Sequence, residues 1–309
     1  MTELTHLPNP LLFRMMGQIQ DFSVKELIWT IGSAPLLKSL SPTDEIPTGI
    51  PSFTFYEEEF ERVIEVLGQN PLQLPTNHLD SHRRLGHRFE QLVFAWFSAH
   101  PDWTIVASNQ IIQPGKTTLG EMDLIAERNG TIHHIELACK FYLNQSQSKQ
   151  WSTWIGVNPV DRLDLKINKL REQLERPQTM EIKTWMQDLG LTIDHSAVIM
   201  KGWFFHHYQN ITSPVWPQGV CEDCNSGWWC HESEWPHIWS HHGNWISIQP
   251  KHWLRMVHAA HDVKELGNPN ADSLTLNKGN ACMVAQVQWD GSAWVEMNRG
   301  IIVPDTWPN

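Results

Sequence analysis

Two β-rich runs, GEMDLIAER and TIHHIELACKF, meet at Asn129-Gly130, and this junction constrains the chain more than any other feature. Asn-Gly tolerates the positive φ that both central residues of a type I′ turn need, so it signals a two-residue hairpin. Such a turn fixes the register: Arg128 opposes Thr131, Glu127 opposes Ile132, Ile125 opposes His134, and Asp123 opposes Glu136. Directly opposed side chains stand about 5 Å apart at Cβ, so the turn brings two carboxylates together. Alone, that pair repels. A divalent cation converts the repulsion into a site, and hard oxygen ligands suit Mg²⁺ or Mn²⁺. The competing reading is a solvated hairpin whose acids point to water. Against it, Ile135, Leu137, Cys139 and Phe141 form one apolar face, while His134, Glu136, Ala138 and Lys140 share the other.

A third carboxylate lies upstream. Apolar residues Leu85, Phe89, Leu92, Val93, Trp96 and Phe97 recur at three- and four-residue steps, which predicts a helix from Leu85 to Ala99. Glu90 shares a helical face with Gly86, Val93 and Phe97. It is either an edge residue or a carboxylate aimed at something specific. The missing side chain at Gly86 suggests close approach of another backbone.

In this order, a helical Glu, GEMD, and a strand bearing a carboxylate and a lysine, the chain resembles the PD-(D/E)XK superfamily of restriction-endonuclease-like nucleases. LGHRFEQLVFAWF, GEMDLI, IELACKFYL, NPVDRLDLKINKLREQL and RGIIVPDTW look more closely like an uncharacterised bacterial family placed in that superfamily. The resemblance runs from about residue 83 and implies that Asp123 and Glu136 bind a metal, with Glu90 supporting it. It also implies a catalytic lysine two residues after the acid, a slot held here by Ala138. Lys140 stands four residues on, about 13 Å along the strand from Glu136. Lys140 acting from a different angle, or Lys166 arriving from the next helix, would restore the group; otherwise the fold serves for binding alone. The activity implied is metal-assisted phosphodiester hydrolysis in DNA or RNA, with His134 a candidate proton carrier.

Charge places any nucleic-acid contact in the middle of the chain. The net charge is −11, but residues 1–80 carry 4 basic and 11 acidic side chains, whereas residues 81–200 carry 13 of each. Within that neutral stretch a helix near 160–176 is predicted, with Leu163, Ile167, Leu170 and Leu174 as its buried stripe. Arg162, Lys166, Lys169 and Arg176 line one flank, either a solvated face or a phosphate-facing one. Farther on, CEDCNSGWWCH offers Cys221, Cys224, Cys230 and His231, with His237, His241 and His242 nearby, as a candidate structural zinc site. Cys230 and His231 are adjacent, which is awkward for joint coordination; reduced thiols in a Trp-rich loop are the alternative.

These readings assemble into an α/β chain with a restriction-endonuclease-like core, a mixed central sheet flanked by helices. Residues 1–80 form an N-terminal helical extension, 81–205 the nuclease-like core, and 206–309 a Trp/His-rich β elaboration whose last hairpin turns at Asp290-Gly291. No apolar run reaches the ~20 residues of a membrane span. The first residues lack a basic start followed by an apolar stretch, and five cysteines with three clustered do not suit a secreted disulfide framework. A cytoplasmic setting with no membrane partner is expected. The functions in view are a Mg²⁺- or Mn²⁺-dependent nuclease, a non-catalytic nucleic-acid or protein-binding module on the same scaffold, and a zinc-stabilised structural protein.

Overall fold

The Asn129-Gly130 junction folds as its sequence requires. Asn129 has φ 54° and Gly130 φ 78°, and β2 (Gly120–Arg128) turns directly into β3 (Thr131–Asn144) with Arg128 opposite Thr131. The Glu127 side chain accepts the Gly130 N–H at 2.7 Å and fastens the turn. This is a computed structural model, and it describes residues 16–17, 19, 21–41, 51, 53–69, 84–113, 115–116, 118–239, 244–259 and 279–309.

Around that hairpin the described strands build one mixed sheet. Its further members are β1 (Thr104–Ile112), β4 (Trp154–Gly156), β5 (His195–His207), β6 (Ser226–His231), β7 (Asn244–Ile248), β8 (His258–Ala259), β9 (Cys282–Trp289) and β10 (Trp294–Val303). The order is β1-β2-β3-β5-β6-β10-β9-β7, with β4 on β3 and β8 on β10. β3, β5, β6 and β10 run parallel to one another, and the outer strands pair antiparallel. Strands of the middle segment and of the C-terminal third therefore share one sheet. The hairpin at Asp290-Gly291 forms, with Trp289 opposite Trp294.

Helices cover both faces. On one lies α3 (Leu85–Ala99), whose Phe89, Leu92, Val93, Trp96 and Phe97 are buried as their spacing predicts. Each such side chain contributes roughly 1.5–3 kcal/mol by leaving water. Behind it pack α1 (Phe22–Gly32), capped by Asp21 accepting the Ser23 and Val24 N–H groups, and α2 (Phe53–Gln69). This core joins Leu27 and Trp29 to Leu137 and Phe141 on β3 and to Ile301 and Val303 on β10, so all three segments of the chain share it. Two charged side chains anchor it. The Lys201 amine donates to the Ile31 and Ser33 carbonyls at the end of α1 and stands 4.1 Å from the Tyr56 ring centroid. Glu59 accepts the indole N–H groups of Trp96 and Trp103.

The other face carries α4 (Leu163–Glu175) and α5 (Met180–Asp188), while the short α6 (Trp235–Trp239) adjoins β6 through Trp235, which stacks on Trp228. Leu163, Ile167 and Leu170 of α4 pack on Ala138 and Tyr142 of β3, and Ile182 and Met186 of α5 pack on Met122 and Ile125 of β2. The fourth buried position of α4 differs from the expectation. Gln173 is buried there, and Leu174 is only half-buried. Among the described residues no helix is long and apolar enough to cross a membrane.

Candidate functional site

The expected hairpin register holds from Arg128↔Thr131 to Leu124↔Ile135 and then stops. One residue beyond, where Asp123 would pair with Glu136, β2 leaves β3 and continues with β1 as far as Gly120↔Ile112. The Asp123 carboxylate replaces the lost backbone acceptor, and its Oδ2 takes the Leu137 N–H at 2.7 Å. On that same edge β4 joins β3 only from Tyr142, while β5 occupies the opposite edge throughout. Residues 136–141 of β3 thus border a notch in the sheet, and Asp123 sits at its fork.

Alternation places Asp123 beside Ile125, and Glu136 beside Ala138, on the face covered by α4 and α5. Glu136 is 1% exposed, and each of its oxygens is engaged. The His134 Nε2 lies 2.8 Å from Oε1, and the Gln173 amide nitrogen donates to Oε2. The buried Gln173 Oε1 has no hydrogen-bond partner among the described residues. Asp123 has no such settlement. Burial above all, then the neighbouring charge of Glu136, pushes it up to about 7 from an ordinary 3.8; the Leu137 N–H opposes this and the Glu90 charge adds to it.

Glu90 comes from α3, which packs on the opposite face, and its charge acts on Asp123. Burial raises its pKa against the pull of His87, whose Nδ1 is 3.4 Å away, and Glu121 raises it further. Gly86 does not mark a close approach of backbone. It is exposed, and a Cβ there would meet nothing within 4 Å. The helix start above the site is open instead.

The lysines divide. The Lys140 amine donates to Asp161 at 2.6 Å, and Asp161 also accepts the Tyr142 hydroxyl at 3.3 Å. Lys140 is therefore committed to the loop before α4, farther along β3 than the acids. Lys166, on the first turn of α4, is the cation that acts on Asp123, Glu136 and Glu90. Burial lowers its pKa, and the charges of Lys140 and Lys169 lower it further. No hydrogen bond or ion pair holds its amine among the described residues. Gln173 stands seven residues later on the same α4 face, a spacing that signals its placement only once α4 is known to lie over Glu136. Lys169 is exposed, and Arg162 pairs with Asp164 at 2.5 Å. Arg176 lies against Gly120, where a Cβ would come within 2.1 Å of its guanidinium, so β2 carries a cation at its start.

The structure divides the four candidate zinc ligands. Cys221 and Cys224 are buried with Leu36, Leu37 and Val198, whereas Cys230 is buried among Trp228, Trp235 and Trp245. The His231 Nδ1 lies 3.3 Å from the Pro304 carbonyl. Burial raises the pKa of all three thiols, and each is free of disulfides. His237 lies on α6, and His241 and His242 fall outside the described residues. Among the described residues no three or more His, Cys, Asp or Glu side chains form a group that could hold a metal ion.

Residues 25–303 match a family described as a domain of unknown function, DUF1853, and the chain belongs to it. No curated protein and no solved structure matches the chain.

Proposed function

We propose that this member of the DUF1853 family is a metal-dependent phosphodiesterase with a restriction-endonuclease-like core, acting on DNA or RNA from the notch between β2 and β3. The observation that carries the reading is the convergence of Asp123, Glu136 and Glu90 on one lysine, Lys166, in a largely buried site. An acid whose pKa is raised this far, beside a half-buried cation, is costly to keep, and such groups concentrate at functional sites.

The donors fit Mg²⁺ or Mn²⁺. Three carboxylates and the Gln173 carboxamide oxygen, which has no partner among the described residues, are hard oxygen ligands. A bound cation would polarise the phosphate and lower the pKa of an attacking water. Asp123 must shed its proton to serve as a ligand, and its pKa near 7 lets it do so at neutral pH. Glu136 is oriented by His134 and Gln173. Lys166, unpaired among the described residues and held on α4, would stabilise negative charge growing on the phosphate. Lys169 and Arg176 extend the positive rim along the substrate backbone.

A second reading has one observation in its favour. Lys140, the lysine of the acid-bearing strand, is neutralised by Asp161, as suits a scaffold kept for binding without turnover. Labelled single- and double-stranded DNA and RNA, incubated with Mn²⁺ or EDTA, separate the two. Cleavage that needs Mn²⁺ and falls about 100-fold or more in Asp123→Asn supports the enzyme. Salt-dependent binding without cleavage supports the module. Neither cleavage nor binding overturns both.

A further inference from the structure

We infer that His134 and Ser196 form a positioning pair that holds Glu136 in the orientation needed for cation binding, an inference that rests on the cation-site reading above. Three backbone registers bring the group together. His134 opposes Ile125 across the hairpin, Ser196 lies beside His134 in the parallel β3–β5 ladder, and Glu136 follows two residues along β3 on the same face. Imidazole, hydroxyl and carboxylate are thus neighbours by strand pairing alone.

The hydrogen bonds form a chain. The Ser196 Oγ lies 3.2 Å from His134 Nδ1, and His134 Nε2 lies 2.8 Å from Glu136 Oε1. His134 is fully buried, so neither ring nitrogen can turn to water or to a substrate. This excludes it as a proton carrier to the reacting phosphate and leaves it an orienting role. A carboxylate oxygen accepts, so across this 2.8 Å contact Glu136 accepts and His134 Nε2–H donates. Nδ1 is then the acceptor, and the Ser196 hydroxyl donates to it. Ser196 thereby fixes the tautomer that His134 needs to grip Glu136. Where a carboxylate binds a metal, the partner that orients it typically contributes about 10- to 100-fold in metal affinity.

Gln173 engages the other oxygen of the same carboxylate. With each oxygen engaged, Glu136 cannot rotate without losing a buried hydrogen bond, which costs ~1–3 kcal/mol.

The test titrates Mn²⁺ into the full chain and follows the free-ion signal by electron paramagnetic resonance, for wild type, His134→Leu, His134→Gln and Ser196→Ala. Thermal melts report folding in parallel. We expect affinity to fall about 10- to 100-fold in His134→Leu and to recover to within about threefold in His134→Gln, whose amide donates at similar reach. Ser196→Ala should lose a few-fold while melting close to wild type. A purely structural pair would lower the melting temperature and leave the affinity of the folded protein unchanged, and that result overturns the inference. The milder Ser196→Ala and His134→Gln variants keep the comparison decisive if His134→Leu does not fold. If the wild type itself shows no saturable Mn²⁺ binding, the cation site fails and the positioning role fails with it. Nitrogen-15 NMR of the metal-free protein gives a reading independent of metal. The Nε2–H tautomer is expected for His134, and Nδ1–H overturns the assignment.

Discussion

Replacing Asp123 by Asn should stabilise the metal-free protein, although Asp123 is central to the proposed site. The reason is the burden the carboxylate carries. Its pKa is pushed up to about 7 from an ordinary 3.8, chiefly by burial and then by Glu136. The folded state therefore holds a proton more tightly than the unfolded one. That contribution to stability is fully present below about pH 4 and is lost as pH rises through about 7. Above pH 8 the wild type carries an ionised carboxylate that its surroundings disfavour. At about 1.36 kcal/mol for each step of one in pKa, the full cost approaches ~4 kcal/mol. Residual water access at the notch discounts this to about 2–3 kcal/mol. Asn carries no charge and still offers an oxygen to the Leu137 N–H, so it escapes the cost and keeps the bond. With an unfolding entropy near 2.1 cal/mol/K for each residue, a chain of 309 residues should melt about 3–5 °C higher at pH 8.5 in EDTA. At pH 4 the two proteins should melt together. Saturating Mn²⁺ should reverse the order at pH 8.5, because only the wild type gains binding energy in its folded state. Differential scanning calorimetry at both pH values, with EDTA and with Mn²⁺, checks all three. An Asn variant that melts at or below the wild type in EDTA at pH 8.5 would refute the argument that Asp123 is held against its preference.

Two further outcomes follow from the surroundings of the notch. Lys166→Gln should cut phosphodiester cleavage by about 10²-fold, as loss of a charge-stabilising donor does, whereas Lys140→Gln should change it by less than about threefold because its amine is spent on Asp161. Equal losses in single-turnover assays would return the role to Lys140. Gly202→Ala should unfold the protein readily. A Cβ there would lie 1.7 Å from the Lys140 carbonyl oxygen, at φ +140°, so β5 must move off β3. A loss on the order of 3–5 kcal/mol in guanidinium melts is expected, and a near-neutral change would show that the β3–β5 contact is looser than the structure has it.

Titratable groups act on one another where the acids meet. Two buried charges elsewhere have partners at hand. Arg299 and Glu296, both fully buried, form a paired bond, and Arg299 also donates to the Trp253 and Arg255 carbonyls. Lys201 finds the carbonyls at the end of α1. Against that background Asp123, Glu90 and Lys166 stand out as charged or chargeable groups near one another without direct pairing among themselves. Local rules are met through most of a natural sequence and broken where function needs it, which is why the notch, and not the cysteine loop, carries the proposal.

Local sequence determined the hairpin, its register from Arg128↔Thr131 to Leu124↔Ile135, and the helix from Leu85 to Ala99. Each depends on neighbours in the chain: a turn that accepts positive φ, a period of two, a period near 3.6. The mixed α/β character was legible for the same reason, since parallel strands need helical crossovers. What tertiary structure alone decided is where pairing stops. Nothing in GEMDLIAER marks Asp123 as the residue at which β2 leaves β3, because the fork depends on β1, on β4 and on the Leu137 N–H that Asp123 captures. The same holds for Gln173 reaching Glu136, for Lys140 turning to Asp161, and for Cys230 lying in a different core from Cys221 and Cys224. Those outcomes are set by which sheet edge and which helix face meet in space, and spacing along one chain does not encode distances between segments 37 or 21 residues apart.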